Sequence, residues 1–133
     1  MIVTEEGEGL ALNYKLIALD VDGTLIDDNY RIGERTKEAV RLAAAQGARI
    51  VLCTGRGPAS TLPLLAELGL EGAAITHNGA ATISSIDRTL LHQYAFSMTE
   101  VQALASYCEA RGIHYDVNSA FDIYVKPLNE EAR

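Results

Sequence analysis

The stretch Leu16–Leu25, which reads Leu-Ile-Ala-Leu-Asp-Val-Asp-Gly-Thr-Leu, decides the fold. A short apolar run ends in a carboxylate, Asp20, and a second carboxylate, Asp22, follows after one residue. Such a run is typical of a buried strand, and Gly23 permits a sharp exit from it. Both carboxylates are therefore expected at a strand end, where open α/β sheets bind ligands. They suit a hard cation such as Mg²⁺, or a nucleophile with a general acid/base, although a strand followed by a plain Asp/Gly turn has the same pattern.

Two further predicted strands follow, and a predicted helix precedes each of them. Residues 34–46 and 58–68 carry apolar side chains at helical spacing, whereas residues 48–53 and 73–76 are continuous apolar runs. This alternation predicts an α/β fold whose parallel strands are joined by right-handed crossovers. Polar or glycine-rich clusters follow each strand, and we expect them to gather at one edge of the sheet.

The pattern changes after residue 79. Residues 80–86 and 89–96 are short extended runs that predict an antiparallel hairpin turning at Asp87-Arg88. A helix is predicted from residue 97 or 99 to about 111. Residues 113–117 and 121–125 alternate as a second hairpin, in which Phe121, Ile123 and Val125 share a face. This second part is α+β in character.

The bulk properties limit the classes of partner. A length of 133 residues favours one domain, and a net charge of -7 argues against nucleic acid and anionic membranes as partners. No apolar stretch approaches the roughly 18 residues of a transmembrane helix. Cys53 and Cys108 both fall in apolar patterns, so we expect buried thiols rather than a disulfide or a metal site, and a cytoplasmic location.

Three motifs resemble one family. Asp20-Val21-Asp22-Gly23-Thr24-Leu25 resembles the first signature motif of the haloacid dehalogenase-like (HAD) superfamily. Cys53-Thr54-Gly55-Arg56 is similar to the second motif of its Cof-like phosphatases, and Asn78-Gly79-Ala80 to the segment after their third strand. The resemblance implies an α/β fold: the N-terminal half of a HAD-like Rossmannoid parallel sheet, with the first part of an inserted α+β cap.

The sequence pattern and this resemblance together predict a division of the chain. Residues 1–13 are predicted to be a disordered lead-in, residues 14–83 the N-terminal half of the core, and residues 84–133 a partial cap.

The first motif implies the chemistry. Asp20 is the expected nucleophile, which would form an aspartyl-phosphate, and Asp22 the expected general acid/base. By resemblance, the Asp20 carboxylate and the backbone carbonyl of Asp22 would bind Mg²⁺. The metal would neutralise the charge that otherwise keeps Asp20 and a phosphate dianion apart.

The second and third motifs imply substrate contacts. Thr54, Gly55 and Arg56 are expected to bind the phosphoryl group through a hydroxyl, backbone N–H groups and a guanidinium. Alternatively, Thr-Gly-Arg is a plain strand–helix turn and Arg56 a solvated loop cation. Asn78 is expected to face the substrate, although Asn-Gly is also simply a favoured turn.

The resemblance covers only the first part of the family pattern. Family members return to the core after the cap and supply a lysine and a metal-binding Gly-Asp…Asn-Asp segment, and Lys126 comes too early to be that lysine. We therefore expect a truncated chain, weakly active or inactive alone. The first strand, central in the family, would be an exposed edge here and could promote self-association.

These expectations give one leading function and two alternatives. The leading one is a Mg²⁺-dependent phosphohydrolase that acts on small phosphorylated metabolites. The second is a non-catalytic remnant of the same fold that binds a phosphometabolite or a protein partner. The third, a phosphoacceptor receiver domain, is disfavoured because Thr76-His77-Asn78 offers no carboxylate after the third strand.

Overall fold

The computed structural model describes residues 14–125, and a five-stranded sheet forms the centre of that region. The first three strands are parallel, and the fourth and fifth each run antiparallel to the preceding strand. The α/β class is therefore confirmed, with a mixed sheet. In chain order, which is also the spatial order, the strands are β1 (Leu16–Asp20), β2 (Arg49–Cys53), β3 (Ala73–Thr76), β4 (Ala81–Ser84) and β5 (Leu90–Gln93).

Two helices connect the parallel strands. Helix α1 (Glu34–Ala45) follows β1, and α2 (Pro58–Leu68) follows β2, both within one residue of the predicted bounds. Gly69 ends α2 in the left-handed conformation, at φ 70°. Arg41 of α1 donates hydrogen bonds from Nε and Nη2 to the carbonyls of Leu68 and Glu67, at 2.9 and 3.0 Å, and so joins α1 to the end of α2.

The core fills the space between these helices and the sheet. Leu52, Ala74 and Ile83 are fully buried in β2, β3 and β4, and Leu68 is fully buried at the end of α2. Burial of a leucine or isoleucine side chain stabilises a fold by about 1.5–3 kcal/mol. The residues that follow β1 also enter the core, because Val21 is fully buried.

Strand β1 lies at an edge of the sheet and pairs only with β2 within the described residues. No residue of β1 is fully buried, and Leu16 is 59% exposed. The prediction of a buried strand is therefore wrong for this region, because burial needs a neighbour on each side. The expectation of an exposed edge is confirmed.

Residues 97–125 form a helix and a hairpin, as predicted. Ser97 is the N-cap of α3 (Met98–Glu109), and a short two-stranded sheet follows, made of β6 (Asp116–Asn118) and β7 (Ile123–Val125). The strands are shorter than predicted, because the turn between them includes Phe121. No side chain of α3 is fully buried.

The hairpin of β4 and β5 also differs from the prediction. Residues 85–89 connect the two strands, so the two-residue turn at Asp87-Arg88 is wrong. Asp87 Oδ1 accepts hydrogen bonds from the N–H and the hydroxyl of Thr89, and Arg88 is left-handed at φ 55°.

The predicted lead-in, residues 1–13, and Lys126 lie outside the described residues. No helix among residues 14–125 combines the length and apolar character needed to cross a membrane.

Candidate active site

Asp20 is the last residue of β1 and lies opposite Cys53 in the parallel register. Its Oδ2 atom accepts a hydrogen bond from the Thr24 hydroxyl at 3.1 Å. The chain turns back at this point because the Val21 carbonyl accepts the N–H groups of Leu25 and Ile26, at 2.9 and 3.0 Å. The Asp20 carboxylate is therefore exposed at the carboxyl end of the strand, and its Oδ2 atom is hydrogen-bonded to Thr24.

Cys53 lies next to this carboxylate but is not a candidate nucleophile. Burial raises the pKa of its thiol, and the negative charge of Asp20 raises it further. A protonated thiol is a poor nucleophile, so the nearby carboxylate, rather than the sulfur, is the group suited to attack.

Thr54 joins the ends of β2 and β3. Its N–H donates to the Ile75 carbonyl at 2.9 Å, and its own carbonyl accepts the Asn78 N–H at 3.1 Å. Its side chain is almost fully buried, and the hydroxyl oxygen accepts the N–H of Arg56 at 3.1 Å. The polar clusters after the three parallel strands therefore meet at one edge of the sheet, as the alternation predicted.

Gly55 and Asn78 approach each other closely. A Cβ atom placed on Gly55 would lie 2.8 Å from Asn78 Oδ1, closer than real Cβ contacts come. Only glycine lets the two loops meet in this arrangement. The Asn78 amide group therefore covers Gly55 beside the candidate site.

Arg56 and Asp22 form a bidentate ion pair. Arg56 Nη2 lies 2.6 Å from Asp22 Oδ1, and Arg56 Nε lies 2.9 Å from Asp22 Oδ2. The hydrogen bonds from Arg56, assisted by its positive charge, lower the pKa of Asp22. The guanidinium expected on the substrate phosphate is thus bound to the expected acid/base residue in this structure.

Tyr30 lies against the same guanidinium, with its ring centroid 5.5 Å from Arg56 Cζ. Tyr30 is left-handed at φ 59°, a conformation that a large side chain seldom adopts. Asp27 maintains this loop, since its Oδ1 accepts the N–H groups of Asn29 and Arg31, each at 2.9 Å. These bonds lower the pKa of Asp27. Hydrogen bonds within the loop after the first motif therefore hold a conformation in which Tyr30 reaches Arg56 of the second motif.

His77 and Asn78 are two successive left-handed residues, at φ 51° and 56°. The His77 N–H donates to the Arg56 carbonyl at 3.1 Å, which fixes the loop around Arg56 from its other side. The His77 Nε2 atom is buried, with no hydrogen-bond partner among the described residues. Its ring lies against Gly57, where a Cβ atom would come within 3.1 Å of His77 Cε1.

The donor set for a metal ion is small. No group of three or more His, Cys, Asp or Glu residues within 14–125 is arranged to bind one. Mg²⁺, however, is commonly bound by one or two carboxylates together with substrate phosphate and several waters. The exposed Asp20 carboxylate at a strand end fits that requirement.

A groove of about 600 Å³ adjoins the site. Gly55 and Asn78 contribute to its lining, and its apolar side chains come largely from residues 94–96, which follow β5, and from α3. Its volume falls in the range of small-molecule sites.

The sequence therefore identified most of the residues that the fold brings together. Asp20, Asp22, Thr54, Gly55, Arg56 and Asn78 all lie at the same sheet edge. Thr24 and Tyr30 were not assigned contacts. Thr24 follows Asp20 by four residues, a spacing that allows its hydroxyl to reach back across the turn, whereas no local signal indicates Tyr30.

Comparison with known proteins is consistent with this geometry. The family model for haloacid dehalogenase-like hydrolases matches residues 17–132. The chain belongs to this family of hydrolases. Among curated relatives, phosphatase YwpJ of Bacillus subtilis (strain 168) is 29% identical over 117 residues, which are 88% of this chain and 41% of YwpJ.

A second relative from that strain, 5-amino-6-(5-phospho-D-ribitylamino)uracil phosphatase YwtE, is 32% identical over 124 residues. The match covers 90% of this chain and 40% of YwtE, whose name specifies a small phosphorylated metabolite. The chain therefore spans less than half the length of these relatives.

Solved structures give the same result. A haloacid dehalogenase-like hydrolase from B. subtilis has a TM-score of 0.74 at 27% identity, over 88% of this chain and 41% of that one. The subclass IIB sugar phosphatase BT4131 has a TM-score of 0.72 at 32% identity, over 89% of this chain and 46% of that one. The predicted HAD fold and the phosphatase family are confirmed.

Proposed function

We propose that this chain carries the nucleophile half of a Mg²⁺-dependent phosphohydrolase that acts on small phosphorylated metabolites. The observation that carries the proposal is the exposed Asp20 carboxylate at the end of β1, beside the Thr54 loop at the end of β2. An Asp20 oxygen attacks phosphorus, the bond from phosphorus to the leaving oxygen breaks, and an aspartyl-phosphate forms. Water then releases inorganic phosphate and restores the carboxylate.

The other motif residues have proposed roles in the same reaction. Asp22 gives a proton to the leaving oxygen and later takes one from the attacking water. Thr54, Gly55 and Arg56 bind the phosphoryl oxygens, and Asn78 faces the substrate. The Asn78 side chain over Gly55 supports that last role.

The Asp20 carboxylate and the Asp22 backbone carbonyl would bind Mg²⁺. When bound, the ion neutralises charge between the phosphoryl group and the carboxylate. The Thr24 hydroxyl holds one Asp20 oxygen, so it orients the carboxylate for attack by the other.

Beryllofluoride, which mimics a phosphoryl group on a carboxylate, tests the nucleophile without requiring turnover. The chain with Mg²⁺ and beryllofluoride should give a bound ¹⁹F resonance that is lost in Asp20→Asn. Asp28→Asn, an equally conservative change of an exposed aspartate in the following loop, should retain it. A signal that survives Asp20→Asn, or no signal in the unaltered chain, contradicts the proposed nucleophile.

Turnover by the chain alone is expected to be weak. Among residues 14–125 no third acidic group is arranged beside Asp20 for a metal. Robust Mg²⁺-dependent hydrolysis of p-nitrophenyl phosphate, abolished in Asp20→Asn, would contradict this expectation.

A non-catalytic remnant is the second candidate. The Arg56–Asp22 ion pair favours it, because it occupies the proposed acid/base and a proposed phosphate ligand at once. This candidate predicts that phosphate binds but that no beryllofluoride adduct forms on Asp20.

Three broader properties accompany the proposal. Self-association through β1 is proposed because this strand is an exposed edge. A reducing, cytoplasmic location is supported by the unpaired thiols of Cys53 and Cys108. A division into a core, residues 14–83, and a partial cap, residues 84–133, is also proposed; the absence of fully buried side chains in α3 supports a separate unit that contains this helix.

A further inference from the structure

The Arg56 side chain has two competing partners, the Asp22 carboxylate and the proposed phosphoryl group. The Asp22 carboxylate occupies Nε and Nη2, the donors through which a guanidinium can bind a phosphoryl group side-on. In the same contact both oxygens of Asp22 accept from Arg56, so neither is unengaged to meet a leaving oxygen. Opening of this pair would free the same donors and acceptors for both proposed roles.

The backbone of Arg56 is anchored on both sides. Its N–H donates to the Thr54 hydroxyl at 3.1 Å, and its carbonyl accepts the His77 N–H at 3.1 Å. These two bonds hold the Arg56 backbone, so rotation of the side chain is the simplest way for it to change partner.

The side chains have room to exchange. Asp22 is 55% exposed and Arg56 25% exposed, and ion pairs in such surroundings are weak because water competes for both charges. A phosphate dianion carries more charge than one carboxylate and offers three acceptor oxygens. It is a stronger partner for the same guanidinium.

We propose that Arg56 changes partner when phosphate enters the site: it is bound to Asp22 in the empty site and to the phosphoryl oxygens in the occupied one. Binding of the substrate phosphate to Arg56 therefore releases the Asp22 carboxylate from the ion pair. This inference rests on the proposed phosphate-binding role of the Thr54–Arg56 loop.

Nuclear magnetic resonance of the full ¹⁵N-labelled chain tests the exchange directly. Inorganic phosphate is added in the presence of Mg²⁺ while the Gly55 backbone amide and the Arg56 Nε–H are followed. The expected result is that both signals shift with the same phosphate dependence. Arg41 Nε–H, bonded to the Leu68 carbonyl on α2, is the internal reference and should not move.

The two proposals fail in different ways. If the Gly55 amide shifts while Arg56 Nε–H does not, phosphate binds but the exchange is overturned. If neither signal shifts, the phosphate-binding role fails, and the exchange fails with it.

The ion pair itself has a separate test. Asp22→Asn should move the Arg56 Nε–H signal in the phosphate-free chain, whereas Asp28→Asn should leave it in place. An Arg56 signal that is insensitive to Asp22→Asn means that the pair does not exist in solution and overturns the proposal.

Discussion

Gly55 allows the loop after β2 to lie against the loop after β3. It has no Cβ, and the Asn78 side chain occupies the space that a Cβ would need. Asn78 is left-handed at φ 56°, a conformation that asparagine tolerates better than most residues. The position of the Asn78 side chain at the candidate site therefore depends on glycine at position 55.

Gly55→Ala should lower the free energy of unfolding by about 1 kcal/mol, because the new methyl group displaces Asn78. In an Asn78→Gly background the same change should be neutral or stabilising by about 0.4–1 kcal/mol, since alanine restricts the unfolded chain. Urea unfolding of the four chains measures both values.

Gly33→Ala is the control for the steric clash alone, because Gly33 is the N-cap of α1 and alanine there weakens the cap whatever residue occupies position 78. Gly33 has φ −63°, and its nearest neighbour to a Cβ is Thr36 Oγ1 at 3.8 Å, so alanine fits. Equal destabilisation by Gly55→Ala in both backgrounds would show that Asn78 is not the obstacle.

The polar residues at strand ends were the predictable part of the site. Asp20, Asp22 and Thr54 follow apolar runs directly, so strand ends could be located without a structure. The Arg56–Asp22 pair could not be predicted, because it joins residues 34 apart whose side-chain directions depend on how two loops pack. Tyr30 was missed for the same reason.

Helix α3 depends on its N-terminal cap more than α1 and α2 do. Those helices each bury at least one side chain, whereas no side chain of α3 is fully buried. Ser97 and Glu100 form a capping box: the Glu100 carboxylate accepts the Ser97 N–H at 2.7 Å, and the Glu100 N–H donates to the Ser97 hydroxyl at 3.3 Å. Local contacts therefore hold the start of this helix.

The contribution of Glu100 should depend on pH. Its hydrogen bonds from Ser97 lower the pKa of the carboxyl below its ordinary value of 4.5. A depressed pKa contributes stability that is present above 4.5 and is lost as the pH falls through the lower folded value. Glu100→Gln should therefore reduce the helical circular dichroism of α3 near neutral pH and make no difference once the carboxyl is protonated.

Glu71→Gln, an exposed change in the connection between α2 and β3, is the matched control and should have no effect at either pH. A constant difference between the Glu100 variant and the unaltered chain across the titration would contradict the capping role of the charge.

Elements with a strong local signal were predicted well. Helix α2 and strand β3 have the predicted bounds, because proline, glycine and apolar periodicity mark their ends. The connection between β4 and β5 was wrong, because the side chain of Asp87 builds a longer turn that the Asp-Arg pair does not indicate.

At the scale of the whole molecule, the feature that bears on association is β1, which pairs only with β2 among residues 14–125. The unpaired backbone groups of an edge strand can pair with another chain, and Leu16 on this strand is 59% exposed. The net charge of -7 opposes association between copies without blocking this edge.

Leu16→Lys should decrease the oligomeric fraction measured by light scattering, because a charge on an edge strand opposes strand pairing. Leu42→Lys is the matched control, since Leu42 is 55% exposed but lies on α1. A monodisperse monomer of the unaltered chain, or an equal effect of both substitutions, would contradict association through β1.

The spatial order of the five strands, which repeats their order in the chain, has a consequence for folding. Among the described residues, each strand of this sheet after β1 pairs with the strand synthesised just before it, so none of these four pairings must wait for a distant segment. The cost in entropy of closing a loop grows with the length of the loop. Here each pairing closes only the segment that connects two consecutive strands. The sheet can therefore assemble strand by strand as the chain leaves the ribosome, starting from β1.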